Sequence, residues 1–336
     1  MNTHSVRAGG FFACLLGLLL ASCSSSKVTY SSSTQHNAYS PTALAADLGV
    51  PHQSPLTTGC QWWEVGTGVT GFAWKAPHPR AVLLLQHGYM EYAQRFEQQY
   101  NALIPRLLEA GISVYAFDLR GHGRSPGKRG VTNVNEAVKD HLAARKKLEE
   151  LGLPVFVLGH SLGGLITATS VAERPDGIAG VILSAPALLY SGDNLLSRTG
   201  LRVGGLLAPG LRVGKPVENM AGLFHGAGLS TELARDPMLY RGGMRLATSA
   251  TALSLAHRNW KRYHRISAPT LALHGTDDGA ANPEGSKRFI EAIASADKKL
   301  CLVEGGYHEL LNDTAEDFAL QTILTWIDER VGKLKG

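Results

Sequence analysis

Three residue types that together can cleave an ester occur in a fixed order along this 336-residue chain. Ser161 stands at the centre of Gly159-His160-Ser161-Leu162-Gly163, the acidic pair Asp277-Asp278 follows, and His308 comes last. A serine hydroxyl is a poor nucleophile at neutral pH and needs a base to take its proton in the transition state. An imidazole can be that base, and a carboxylate behind it fixes the tautomer and stabilises the imidazolium that forms. On position alone Asp277 and Asp278 compete for the carboxylate role. His87, His122, His160 and His274 also lie near strand ends, and these are expected to shape loops by hydrogen bonding.

Such groups are useful only if a scaffold aims them at one point. With 38 glycines in the chain, the pentapeptide around Ser161 means little by itself. Its context gives it meaning: the apolar run Pro154 to Leu158 reads as a buried strand, and a helical pattern runs from Gly164 to about Glu173. A G-x-S-x-G that turns a strand into a helix is a nucleophile elbow, with its serine lifted clear of the sheet in strained backbone. The acidic pair follows the strand-like Thr270 to Leu273, and His308 follows Leu300 to Val303, just past Gly305-Gly306. Chain order Ser, then acid, then His suits this arrangement. The developing oxyanion needs two backbone N–H donors. Leu162, directly after the serine, should supply one, and Tyr89 in His87-Gly88-Tyr89-Met90-Glu91 the other. The side chains of Tyr89 and Met90 are expected to line the entrance.

The remaining runs imply an α/β fold with a mostly parallel sheet flanked by helices. Trp62 to Val65 and Thr70 to Trp74 read as an antiparallel start, followed by Ala81 to Gln86, Ser113 to Phe117 and Gly180 to Ser184. The 3.6 period predicts helices over about Phe96–Glu109, Val134–Leu151, Lys287–Ala294 and Ala315–Val331. A Leu-, Gly- and Arg-rich stretch, about Pro186 to Tyr263, interrupts the alternation as an inserted cap. Its leucines either form the cap's own core or face an acyl chain and a membrane. Cys60 and Cys301 fall near the first and last strands and are expected to remain thiols.

The first 22 residues carry Arg7 as their sole basic residue, then the apolar run Phe11 to Ala21. As a helix that run spans about 16 Å against a bilayer core of about 30 Å, so it reads as a signal peptide. Residues 23–58 are rich in Ser, Thr, Asn, Gln and Pro and read as a flexible tether, leaving 59–336 for one domain with its cap. The net charge of +5 is mild, and no basic run with interleaved aromatics argues for nucleic acid. Neither metal-ligand spacing nor a phosphate-binding glycine loop is found, so no cofactor or metal is expected.

Five motifs in order, HGYMEYAQRF, DLRGHGRSPG, GHSLGG, HGTDDG and GGYHELLND, resemble the α/β-hydrolase family of monoacylglycerol lipases and lysophospholipases. The resemblance spans about Trp62 to Ile327 and implies hydrolysis of single-chain lipid esters by Ser161, Asp278 and His308. It favours Asp278 because the family acid lies four residues after the histidine of H-G-x-x-D, here His274. Where the family usually has H-G-x-x-E-H, Tyr92 replaces the second histidine. Prolyl aminopeptidases of this architecture carry H-G-G-P-G in place of HGYME, and haloalkane dehalogenases carry aspartate in place of Ser161. The same triad would also serve acyl transfer to an alcohol, and a non-catalytic lipid-binding lipoprotein is a third reading. Separately, Leu20-Ala21-Ser22-Cys23 resembles the lipobox of bacterial lipoproteins, which implies cleavage before Cys23 and acylation of its thiol. Ser24 in place of aspartate implies sorting to the outer membrane of a Gram-negative cell envelope. No obligate protein partner is expected.

Overall fold

In the computed structural model, described over residues 57, 59–190, 195–213, 223–225 and 236–334, eight strands form one sheet. The signal peptide over 1–22, the acylation site Cys23, nearly all of the tether and parts of the cap lie outside the described residues. In chain order the main-sheet strands are β1 (Cys60–Glu64), β2 (Thr70–Trp74), β3 (Ala81–Gln86), β4 (Ile112–Phe117), β5 (Val155–His160), β6 (Gly180–Ser184), β9 (Thr270–Gly275) and β10 (Lys298–Val303). They lie side by side as β1-β2-β4-β3-β5-β6-β9-β10. β2 pairs antiparallel with both β1 and β4, and all other neighbours are parallel.

The continuous apolar runs have their physical reason in this layout. Every residue of β3, β4, β5, β6 and β9 is buried, because helices cover both faces of the parallel part. On one face Val82 and Leu84 pack with α2 (Val134–Glu149), α3 (Leu162–Glu173) and Phe289 of α6 (Pro283–Ala292). On the other, Leu83 and Leu85 pack with α1 (Leu103–Glu109) and α7 (Glu316–Lys333). Cys60 on β1 and Cys301 on β10 lie at opposite ends of the sheet as free thiols. Among the described residues no helix is long and apolar enough to cross a membrane.

Two predicted helices differ from those observed. In place of one helix over Phe96–Glu109 there is a 3₁₀ turn, Ala93–Glu97, then a break, then α1. Tyr100, Asn101 and Ala102 take φ of 56°, 52° and 49° in the break, a conformation costing about 1–2 kcal/mol per residue. Long-range partners hold it: the Tyr100 N–H donates to Asn312, and Asn101 Nδ2 donates to Asp317 at 2.9 Å. The helix expected from Lys287 begins at Pro283, because Asn282 caps it by accepting the Glu284 N–H at 3.0 Å, with proline at the first position.

The insertion between β6 and β9 contains α4 (Leu195–Leu207), the short ribbon β7 (Arg212–Val213) and β8 (Met244–Arg245), and α5 (Leu246–Asn259). α4 and α5 approach closely because Gly204 and Gly205 face Leu246 and Ala250. A Cβ at either glycine would stand 2.9 or 3.0 Å from those side chains. Leu201, Leu246, Ala250 and Leu253 form a small core there, while Val203, Leu206, Leu207 and Leu211 are exposed. The apolar residues of the cap are thus divided between a small core and an exposed face.

A tighter constraint lies where α3 crosses the end of β3: a Cβ on Gly163 would fall 2.3 Å from Gln86 O and 2.5 Å from His87 O. Both obstacles are backbone and cannot swing aside. Gly163→Ala should therefore lose about 3 kcal/mol of stability or fail to fold. Denaturant unfolding checks this, and an unchanged midpoint would mean that helix and strand are not packed this closely.

Candidate active site

Ser161 occupies the single position between the last residue of β5 and the first of α3, with φ 54° and ψ −119°. Positive φ on a side-chain-bearing residue needs external support. The support is a ring of backbone bonds. Ser161 N–H donates to Ser184 O at 3.0 Å, and Ser161 O accepts from Gly164 at 2.9 Å and Ala187 at 3.0 Å. Leu162 opens α3, so its N–H has no partner within the helix and faces the nucleophile's end of it. The oxyanion loop comes within van der Waals contact. A Cβ on Gly88 would stand 3.0 Å from Ser161 Cβ, which brings the following residue, Tyr89, beside the elbow.

Geometry separates the two aspartates by their contact with His308. Asp277 is exposed, and its N–H donates to Gly306 O at 3.0 Å. Asp278 turns inward, its side chain wholly buried, with Oδ2 2.7 Å from His308 Nδ1. His274 Nε2 lies 3.0 Å from the same oxygen, while Oδ1 accepts the Ala280 and Ala281 N–H groups at 2.7 and 2.9 Å. Burial alone would raise this carboxyl, but the His308 charge and these donors hold it well below the usual carboxylate range. His308 shows the converse. Burial would lower its pKa, yet the Asp278 carboxylate outweighs burial and leaves it raised above the ordinary imidazole value.

The four remaining histidines do shape loops, all from buried positions. His87 Nδ1 bonds Gly88 O at 2.7 Å while Nε2 accepts the Leu119 N–H at 3.0 Å, joining the loops after β3 and β4. Burial lowers its pKa to about 4, and lowers those of His122 and His160 to about 3. His160 therefore stays neutral although its ring centroid is 4.8 Å from that of His308. His274 does more than shape a loop, since it is the second imidazole holding Asp278.

Tyr89 and Met90, both half-buried, reach towards the cap. The Tyr89 phenol donates to Gly130 O at 2.8 Å and accepts the Arg245 N–H at 3.2 Å, while Met90 packs with Phe224 and Leu239 of the cap. Tyr92, in the family's histidine position, donates to Asp236 Oδ2 of the cap at 2.8 Å.

Sequence reasoning also missed a buried ionic cluster beneath the site. Arg95 bonds Glu309 through both terminal nitrogens, at 3.1 and 2.8 Å, and Glu91 at 2.7 Å. Tyr100 adds its hydroxyl to Glu91 at 2.5 Å. The cluster ties the oxyanion loop, through Glu91, to the neighbour of His308. Burial and the adjacent Glu309 draw Glu91 towards its neutral form; burial would do the same to Glu309, but Arg95 keeps it ionised. Glu91, His160 and Glu309 have ligand atoms within 4.8 Å of one another and so could hold a cation. The Arg95 guanidinium already sits against both carboxylates, which makes it the group that balances their charge. The i, i+4 spacing of Glu91 and Arg95 was the one local signal for this cluster.

A serine on an elbow and a carboxylate-held imidazole over a mostly parallel, helix-covered sheet define a serine hydrolase of the α/β-hydrolase class. The chain belongs to the family described as serine aminopeptidase, S33, whose model matches residues 77–315. It is 33% identical over 255 residues to the monoacylglycerol lipase of Mycolicibacterium smegmatis, covering 74% of this chain and 88% of that protein. To the human monoglyceride lipase it is 29% identical over 279 residues, covering 81% of this chain and 86% of that one. The crystal structure of Paleococcus ferrophilus monoacylglycerol lipase superposes with a TM-score of 0.68 at 32% identity, covering 80% of this chain and 99% of that one. These likenesses make this chain a carboxylic ester hydrolase.

Two outcomes follow from the Asp278–His308 pair. Only neutral His308 can accept a proton, so kcat/KM should rise with pH through a raised imidazole pKa and then level off. Replacing the carboxylate in Asp278→Asn removes what raises that pKa, so the limb moves to lower pH while the plateau falls about 10³–10⁴-fold. A pH–rate series on both proteins checks this. A limb that stays in place would detach Asp278 from His308, and full activity would return the role to Asp277.

Proposed function

We propose that this protein is a lipid-anchored serine hydrolase that cleaves the ester of a single-chain lipid, a monoacylglycerol or a lysophospholipid. Ser161 Oγ attacks the ester carbonyl carbon as its proton passes to His308, whose other nitrogen Asp278 holds at 2.7 Å. The carbonyl oxygen takes the negative charge and is met by the N–H groups of Tyr89 and Leu162. Collapse of the tetrahedral intermediate expels the alcohol, which leaves with the proton from His308, and the acyl group stays on Ser161. Water, deprotonated by the same imidazole, then releases the fatty acid. The observation that carries this reading is the buried Asp278–His308 pair beside the strained Ser161 elbow.

Three lines support the lipid substrate and the membrane setting. The relatives above are named for monoacylglycerol. The cap presents Val203, Leu206, Leu207 and Leu211, with Leu206 and Leu207 more than 80% exposed, beside exposed Arg202 and Arg212. Apolar side chains fringed by cations suit the headgroup boundary of an anionic bilayer. The lipobox-like Leu20-Ala21-Ser22-Cys23 supports acylation of Cys23 in a bacterial envelope, with Ser24 favouring the outer membrane.

Fatty-acid release from a monoacylglycerol and from a matched lysophospholipid should be abolished by Ser161→Ala, and the ratio of the two rates reports the headgroup that the cap admits. Activity surviving that substitution would refute the mechanism. Labelling of Ser161 by a fluorophosphonate without release from either lipid would refute the substrate class alone. Adding a competing alcohol tests acyl transfer, which would appear as a new ester at the expense of free acid. Separately, Cys23→Ser should move the chain from the membrane fraction to the soluble one; unchanged partitioning would rule out the acyl anchor.

A further inference from the structure

The oxyanion loop is joined to the cap at three successive points. Met90 O accepts the Tyr240 N–H at 2.9 Å, the Tyr92 phenol reaches Asp236, and the Tyr89 phenol lies between Gly130 O, Gly243 O and Arg245 N–H. Tyr89 carries the backbone N–H assigned above to the oxyanion. Its ring is wedged edge-on between His122 and Tyr240, at centroid distances of 4.9 and 5.9 Å. On one side of the wedge is the loop before α2, from the body of the domain; on the other are Gly243, just before β8, and Arg245 of β8, from the cap.

We propose that Tyr89 acts twice, its backbone N–H holding the oxyanion and its phenol acting as the positioning element that sets that N–H when the cap is seated. The proposal rests on the oxyanion role given above to the Tyr89 backbone. The loop is anchored at His87 and at Glu91, and between those anchors the phenol supplies hydrogen bonds at Tyr89 itself. Met90, the next residue, is at φ 76°, so the chain turns sharply directly after Tyr89, in a conformation that needs support from outside. The phenol's single proton is directed at Gly130 O at 2.8 Å, with Gly243 O at 3.3 Å as a second acceptor, while its oxygen accepts the Arg245 N–H at 3.2 Å. Burial raises its pKa, so it keeps the donating proton throughout the range in which the protein works. Lifting β8 would remove two of its three partners and free the ring from Tyr240. The N–H would then lose its aim although Ser161, His308 and Asp278 stayed where they are. The cap would thereby govern the chemical step as well as the entry of substrate.

The test uses the full-length chain with three side chains at position 89 and a control at position 92. Tyr89→Phe keeps the wedge and deletes one oxygen. It should lower kcat on a monoacylglycerol about tenfold with KM within about twofold, the signature of an interaction made in the transition state. Binding of a trifluoromethyl ketone, which forms a tetrahedral oxyanion on Ser161, should weaken by the same factor. 4-Aminophenylalanine at position 89 returns a donor to the same carbonyls and should restore most of both losses. Tyr92→Phe cuts a cap contact remote from the oxyanion and should leave the ratio of ketone affinity to substrate KM unchanged. Tyr89→Phe with wild-type kcat would overturn the proposal. So would equal losses in Tyr89→Phe and Tyr92→Phe, which would mean general loosening of the cap, or a loss that the amino analogue does not recover. An inactive wild-type chain would instead refute the hydrolase reading.

Discussion

The catalysis proposed for this protein depends on holding one serine in a backbone conformation that an L-residue avoids. Ser161 at φ 54° costs on the order of 1–3 kcal/mol, and the surrounding structure supplies the means of keeping it there. β5 delivers it from the buried centre of the sheet, α3 begins at the next residue, and four backbone hydrogen bonds close around it. The crossing is feasible because Gly159 and Gly163 face one another; a Cβ on Gly159 would come within 2.5 Å of Gly163 O. An exposed hydroxyl at the end of a rigid strand is the product of that strain.

Around this fixed point the protein organises charge differently in two layers. In the upper one, Asp278 stays ionised in a buried site because four donors converge on it, and its charge raises the proton affinity of His308. In the lower one, Arg95 sits between Glu91 and Glu309, a buried pair that would repel without it. Such a cluster adds little stability compared with apolar packing, and its value lies in geometry. It ties the loop of Tyr89, through Glu91, to the loop of His308, through Glu309. The neutral histidines between them fill space and direct hydrogen bonds without adding charge that would compete with His308.

The cap reaches both of these loops. Phe224 packs against Met90 and Tyr92, and Leu223 O accepts the Glu309 N–H at 2.7 Å. His225 stacks on Tyr307 at 3.8 Å and bonds Asp313. An insertion held this way belongs to the catalytic framework on its inner side. Its outer side, with exposed leucines and arginines, has a different physical environment to satisfy.

The amino-acid sequence by itself determined the sheet class, the elbow, the order of serine, acid and histidine, and the two thiols. These features are written in local patterns: buried parallel strands read as unbroken apolar runs, and a strained turn demands glycine on each side. It also located the cap without resolving which of its leucines face inward, because an amphipathic stretch has the same period whichever side is covered. The tertiary structure alone showed that Asp278, and not Asp277, turns in against His308, since adjacent residues share a sequence position and differ only in which way the loop curls. It alone placed Arg95 against Glu309, 214 residues away, and broke the helix expected from Phe96 to satisfy partners near Asn312 and Asp317. Local propensity carries no record of such partners, and contacts formed across the closed sheet outweigh it.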